Sequence, residues 1–76
     1  MNKEMFCAAA HDLKPTTCIV WFYINLLYQD KKMFAAKSKD FENALGICRT
    51  QVYLSIKELK EKNYLTYDEE SRTYSF

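Results

Sequence analysis

The chain has 76 residues, a formal net charge of +1, a single Gly, a single Pro, and an aromatic complement of six Tyr, five Phe and one Trp. A chain this short buries only about 60% of its unfolded surface, which limits it to one small domain over residues 1–76 and excludes a second core. The scarcity of Gly and Pro excludes a loop-rich or disordered chain, and three Cys with no close pair exclude a disulfide framework and point to a reducing, cytoplasmic setting.

Residues 1–13 form an N-terminal extension of uncertain structure. Met5-Phe6-Cys7-Ala8-Ala9-Ala10 suits a short strand or a turn of helix equally. Pro15 then opens a helix predicted over residues 16–29, and Asp30-Lys31-Lys32 ends it. Its apolar run is about half the length needed to cross a bilayer, so no membrane partner is expected. Ile19, Val20, Phe22, Tyr23, Leu26 and Leu27 are assigned to the core. Trp21 and Tyr28, with Asn25 between them, are assigned to the opposite side. That stripe is read as a homodimer or protein-partner interface, because Trp and Tyr are favoured at such contacts. The alternative is that residues 1–13 fold over it.

Met33-Phe34-Ala35-Ala36 reads as extended and able to supply a third strand. Ser38 is read as the N-cap of a second helix reaching Leu45, with Asp40 and Glu42 in its first turn. Gly46 supplies the turn, since glycine tolerates positive φ. A third helix follows over residues 49–62, with Asn63 as its C-cap. On this helix Cys48, Val52, Ser55, Ile56, Leu59 and Asn63 share one face. Arg49, Thr50, Tyr53, Leu54, Lys57 and Lys60 spread over the other. Leu65-Thr66-Tyr67 and Thr73-Tyr74-Ser75-Phe76 flank polar turn residues and read as a β-hairpin. The expected order is helix, strand, helix, helix, strand, strand. Ile19, Tyr23, Leu27, Leu45, Ile47, Val52, Ile56, Leu59 and Leu65 form the expected core.

Charge is unevenly spread. Residues 1–30 carry Lys3 and Lys14 against Glu4, Asp12 and Asp30. Residues 31–62 carry seven Lys and Arg49 against Asp40, Glu42, Glu58 and Glu61, whereas residues 63–76 carry Arg72 against Asp68, Glu69 and Glu70. The positive excess therefore sits on the paired helices, as a phosphate-facing surface requires. A helix held by one apolar face presents its other face as a rod that fits a DNA major groove. On that reading Arg49 forks onto a guanine edge or phosphate, Thr50 and Tyr53 donate to phosphate, and Lys57 adds charge. Lys31, Lys32, Lys37 and Lys39 bracket the segment before the second helix and are read either as further phosphate contacts or as solvated lysines. A merely solvated helix face is the alternative. The acidic run Asp68-Glu69-Glu70 stands against DNA contact at the hairpin tip.

Three stretches carry a resemblance: Leu13-Lys14-Pro15-Thr16, Ala44-Leu45-Gly46-Ile47-Cys48-Arg49, and Glu58-Leu59-Lys60-Glu61-Lys62-Asn63-Tyr64-Leu65 leading into Tyr74-Ser75-Phe76. Together they resemble the small winged helix-turn-helix domains of plasmid and bacteriophage replication proteins and regulators. The resemblance implies a mainly α fold with a small β-wing: three helices plus a two- to three-stranded antiparallel sheet. It further implies a transcriptional regulator or replication-associated protein that binds double-stranded DNA, with Arg49, Thr50, Gln51, Tyr53, Leu54, Lys57, Lys37 and Lys39 as contact residues. Cys48, Gln51, Glu42 and Asn63 depart from the family's usual Ser, Thr, Ala and Gly. The alternative function is a protein-interaction module on the same fold, an assembly factor or phage-type inhibitor of a host protein. Enzymatic motifs are missing, and no cofactor is expected. Cys7, His11 and Cys18 do not match known zinc spacings, so no metal is expected.

Overall fold

The computed structural model describes residues 2–76 and contains four helices followed by a hairpin. Helix α1 spans Lys3–Asp12, α2 Pro15–Tyr28, α3 Ser38–Leu45 and α4 Arg49–Glu61; strands β1 and β2 span Thr66–Asp68 and Thr73–Ser75. Three helices were expected, and the fourth comes from the N-terminal extension. Asn2 nucleates it: its side-chain oxygen accepts from the Met5 N–H at 2.8 Å, satisfying one of the free donors of the first turn.

Helix α2 begins with Pro15 at its first position, where the missing N–H costs nothing. Helix α3 starts one residue differently from expectation. Lys37 is the N-cap, and Ser38 lies inside the first turn with its hydroxyl donating to Glu42 Oε2 at 2.9 Å. Gly46 ends α3 in the left-handed region, with φ 66° and ψ 34°. Asn63 takes φ 65° just after α4. There the Tyr64 N–H donates back to the Leu59 carbonyl and the Asn63 N–H to that of Lys60, a Schellman-type closure. Gly46 and Asn63 are thus used to stop helices, whereas the third left-handed residue, Arg72 at φ 55°, lies in the hairpin turn.

The open space around Gly46 makes its substitution informative, because no heavy atom lies within 4 Å of an added Cβ. Gly46→Ala is expected to cost about 1–2 kcal/mol from backbone strain alone. That corresponds to a melting temperature lower by roughly 5–10 °C for a domain of this size, read by thermal circular dichroism.

Helix α2 packs most extensively on α4, α3 packs on α4, and α1 and α3 flank α2. The core between them is built from Ala9, Leu13, Val20, Trp21, Ile24, Phe34, Phe41, Val52, Ile56, Leu59 and Leu65. Of the expected core, Val52, Ile56, Leu59 and Leu65 are buried and Tyr23, Leu45 and Ile47 are half-buried. Ile19 and Leu27 are exposed instead. The face of α2 is the correction. Trp21 is 5% and Asn25 8% exposed, and Tyr28 is half-buried, so these three do not form an outward stripe. Val20, Trp21, Ile24 and Thr17 face inward, and Ile19, Phe22 and Leu26 face outward.

Aromatic packing explains that orientation. Trp21 meets Tyr64 edge-on at 5.1 Å and Phe76 at 5.6 Å, so the chain after α4 closes over the indole. Asn25 is accommodated by donating its amide to the Trp21 carbonyl at 2.9 Å. Turning α2 this way buries its largest side chain, a gain that an apolar residue of ordinary size does not match.

The hairpin is antiparallel, with Thr66 opposite Ser75, Tyr67 opposite Tyr74 and Asp68 opposite Thr73. The expected third strand is reduced to a single bridge, Phe34 to Tyr74, with N–O distances of 2.9 and 2.7 Å. Phe34 stacks flat on Tyr28 at 4.4 Å and tilts against Phe76 at 5.4 Å, joining α2 to the hairpin. Among the described residues, no helix is long and apolar enough to cross a membrane.

Candidate nucleic-acid interface

Helix α4 is held inward by Val52, Ser55, Ile56 and Leu59, so its remaining residues are presented to solvent. Arg49, Thr50, Gln51, Tyr53, Leu54 and Lys57 are all exposed, as are Lys37 and Lys39 beside the start of α3. The predicted contact residues are therefore accessible, but they do not share one site: Arg49 and Tyr53 line one depression, Gln51 and Leu54 another, Lys57 both, and Thr50, Lys37 and Lys39 neither.

The first is a groove of about 380 Å³ between α4, the segment before α3, and the hairpin. Arg49, Tyr53 and Lys57 line it from α4, joined by Lys60 and by Tyr74 of β2. Ser38 lies on its opposite wall, with Lys37 and Lys39 as its chain neighbours. Among the described residues, none that is acidic lines this groove. Arg49, Lys57 and Lys60 have no ion-pair partner among the described residues, where Lys62 alone bridges to Asp12 and Glu58. The Lys60 ammonium lies 5.3 Å from the centre of the Tyr67 ring, which tilts against Tyr74 at 4.8 Å. This contact fastens the hairpin beside the basic edge of α4.

Lys60 and Tyr74 are the members that sequence reading did not place among the contacts. The helical spacing 49, 53, 57, 60 is a signal for Lys60, which was already on the outward face. Tyr74 has no such signal, since its approach to α4 depends on how the hairpin docks.

The second depression, of about 750 Å³, lies between α4 and the start of α2. Gln51 and Leu54 line it, together with Lys14, Asp12, Glu58 and Glu61, and Lys57 borders it as well as the first groove. Its charge is mixed and unsuited to phosphate. Gln51 is also engaged: its Oε1 accepts from the Cys48 N–H at 3.0 Å, the reciprocal arm of a capping box. Gln51 therefore secures the start of α4, the end at which Arg49 and Thr50 stand.

Glu58 anchors this side. Its two oxygens accept from the Thr17 hydroxyl at 2.8 Å and from the Lys14 N–H at 3.3 Å, and Lys62 lies 3.4 Å away. Burial alone would raise its pKa, yet the donors from Thr17, Lys14 and Lys62 together hold it below the ordinary value. Asp12 is lowered by the Tyr64 hydroxyl at 2.9 Å and by Lys62. These contacts tie α1, the start of α2 and the end of α4 together and fix the orientation of the basic edge.

At the hairpin tip, Asp68, Glu69, Glu70 and Arg72 are exposed. Asp68 Oδ1 accepts from the Glu70 N–H at 3.0 Å, closing a local turn. Cys7 and Cys48 are exposed and Cys18 is half-buried, all as free thiols. No group of three His, Cys, Asp or Glu is placed to hold a metal among the described residues.

No protein family, curated protein or solved structure matches the chain.

Proposed function

We propose that the chain binds double-stranded DNA through the basic edge of α4, as a winged-helix regulator or replication-associated protein. The observation that carries this reading is the alignment of Arg49, Lys57 and Lys60 along one side of a groove with, among the described residues, no acidic lining and no ion-pair partner for any of the three. Cations left unpaired on one ridge are available to phosphates, and their fixed helical spacing suits a regular backbone. Tyr53 and Thr50 stand on the same exposed side and supply hydroxyl donors. Lys37 and Lys39 extend the charge toward the start of α3.

Binding to a duplex is expected to weaken steeply with salt. Three to five phosphate contacts give a slope of log affinity against log salt of about −3 to −4.5. Arg49→Ala combined with Lys57→Ala removes two of these charges and is expected to flatten the slope by about 2, leaving the circular dichroism spectrum unchanged. Fluorescence anisotropy with a labelled duplex between 50 and 200 mM salt reads both quantities. A slope unchanged in the double variant would remove α4 as the reading element.

The acidic tip favours a second reading, a protein-interaction module, assembly factor or phage-type inhibitor, whose Asp68-Glu69-Glu70 tip meets a basic partner surface. Failure of the wild-type chain to bind any duplex at 50 mM salt would select it.

A further inference from the structure

We propose that the depression between α1, α2 and the chain after α4 is a binding site for a free nucleoside, held by the lactam edge of its base. It shares no lining residue with the basic groove, so it stands apart from the reading of α4.

The depression has a volume of about 540 Å³, within the range of small-molecule sites. Trp21 and Asn25 are its most deeply buried lining residues, 5% and 8% exposed. Each keeps one polar atom without a protein partner. The Asn25 amide is fixed in orientation, because its nitrogen donates to the Trp21 carbonyl at 2.9 Å and only the N–H side of an amide can do so. Its Oδ1 therefore points away from that bond, and no donor meets it among the described residues. The indole N–H of Trp21 likewise meets no acceptor among them. Neither atom is sealed in, since no fully buried side-chain N or O among the described residues lacks a partner. Both therefore reach the surface, and the depression is where their residues do so. Four residues apart, they sit one turn from each other on the same face of α2.

A buried donor beside a buried acceptor calls for a ligand that presents an acceptor beside a donor. The lactam edge of a nucleobase has this form. Its C=O accepts from the Trp21 indole N–H, and its N–H donates to Asn25 Oδ1. The walls suit a flat ring: the rings of Tyr64 and Phe76 stand 5.1 and 5.6 Å from the indole. Gln29 and Asn63 lie exposed at the rim, where their amides can meet sugar hydroxyls. Among the described residues no Lys or Arg lines the depression, and its one charged member is Asp30. A phosphate is repelled there, which favours a nucleoside over a nucleotide or a strand.

The chain has one Trp, so a single indole N–H resonance reports on the site by NMR, with no duplex in the sample. Thymidine up to 10 mM is expected to move it with a Kd of about 0.1–1 mM, as fits about 17 non-hydrogen atoms at ordinary ligand efficiency. N3-methylthymidine, whose donor is blocked, is expected to bind about tenfold more weakly or worse. Acetamide, which has the edge without the ring, and thymidine monophosphate, which sets a phosphate beside Asp30, are both expected to bind more weakly than thymidine. Asn25→Leu is expected to raise the thymidine Kd about tenfold or more with an unchanged circular dichroism spectrum. Should that variant fold poorly, the methylated ligand makes the same test on the wild-type chain. An indole resonance unmoved by 10 mM thymidine would overturn the proposal and leave water as the partner of both atoms. Equal binding of N3-methylthymidine would overturn the lactam contact. A thymidine tetranucleotide that binds more tightly than thymidine would overturn the free nucleoside and assign the depression to single-stranded DNA.

Discussion

Val52→Asp is expected to leave the chain largely unfolded at 25 °C. Val52 is 1% exposed and lies on the inward side of α4, among the core residues contributed by α2 and α3. The substitution removes the burial of an apolar side chain, worth about 1.5–3 kcal/mol. It also forces a carboxyl group into the hydrophobic core, which adds several kcal/mol. A chain of 76 residues has a total stability of only about 4–11 kcal/mol to lose. Tyr53→Asp, one residue along and 64% exposed, is the matched control and is expected to fold normally. Far-UV circular dichroism separates the two. Equal melting of Val52→Asp and wild type would show that α4 is not packed by this face.

Glu58→Ala is expected to destabilise the fold by about 1.5–3 kcal/mol, because it strips the Thr17 hydroxyl, the Lys14 N–H and Lys62 of their shared acceptor. Glu58→Gln keeps an acceptor oxygen but loses the charge and should cost less. The difference between wild type and Glu58→Gln then depends on pH. The folded-state pKa of Glu58 lies below its ordinary value of 4.5. Its charge therefore contributes fully above that value, and the contribution is lost as pH falls through the folded-state pKa. Urea melts at steps from about pH 6 to pH 3 should show the two proteins converging. A difference that stays constant over this window would mean that Glu58 acts by packing rather than charge.

The region from Ser38 to Leu65 was readable because each of its signals has one physical interpretation. The lone Gly46 marks a left-handed residue, Asn63 marks a second, and the apolar spacing of Val52, Ile56 and Leu59 assigns one face of α4. Helix α2 was readable as a helix but not in its rotation. With apolar residues all round it, periodicity does not distinguish a face, and the choice is made by what surrounds it. Tyr64 and Phe76 close over Trp21, and Thr17 turns inward because Glu58 awaits it. All these contacts are distant in sequence. Helix α1 is one of two readings that Met5–Ala10 leaves open; the Asn2 cap decides for helix, and Ala9 buries a surface too small to announce itself.

The candidate site shows the same division. Helical spacing alone puts Arg49, Tyr53 and Lys57 on the exposed side of α4, where they line the groove. Tyr74 depends on the docking of the hairpin, and Gln51 was assigned to a contact although its side chain caps the helix.

The hairpin itself meets the helical body through few points: the Phe34 bridge, the Lys60–Tyr67 contact, and the rings of Tyr74 and Phe76. Every residue from Thr66 to Arg72 is exposed. The tip can therefore be lengthened, shortened or recharged at little thermodynamic cost, since extending a surface loop adds only slowly growing closure entropy. The acidic character of Asp68, Glu69 and Glu70 is thus a property the chain can exchange without disturbing its core, and binding preference at that end can drift independently of the architecture that supports α4.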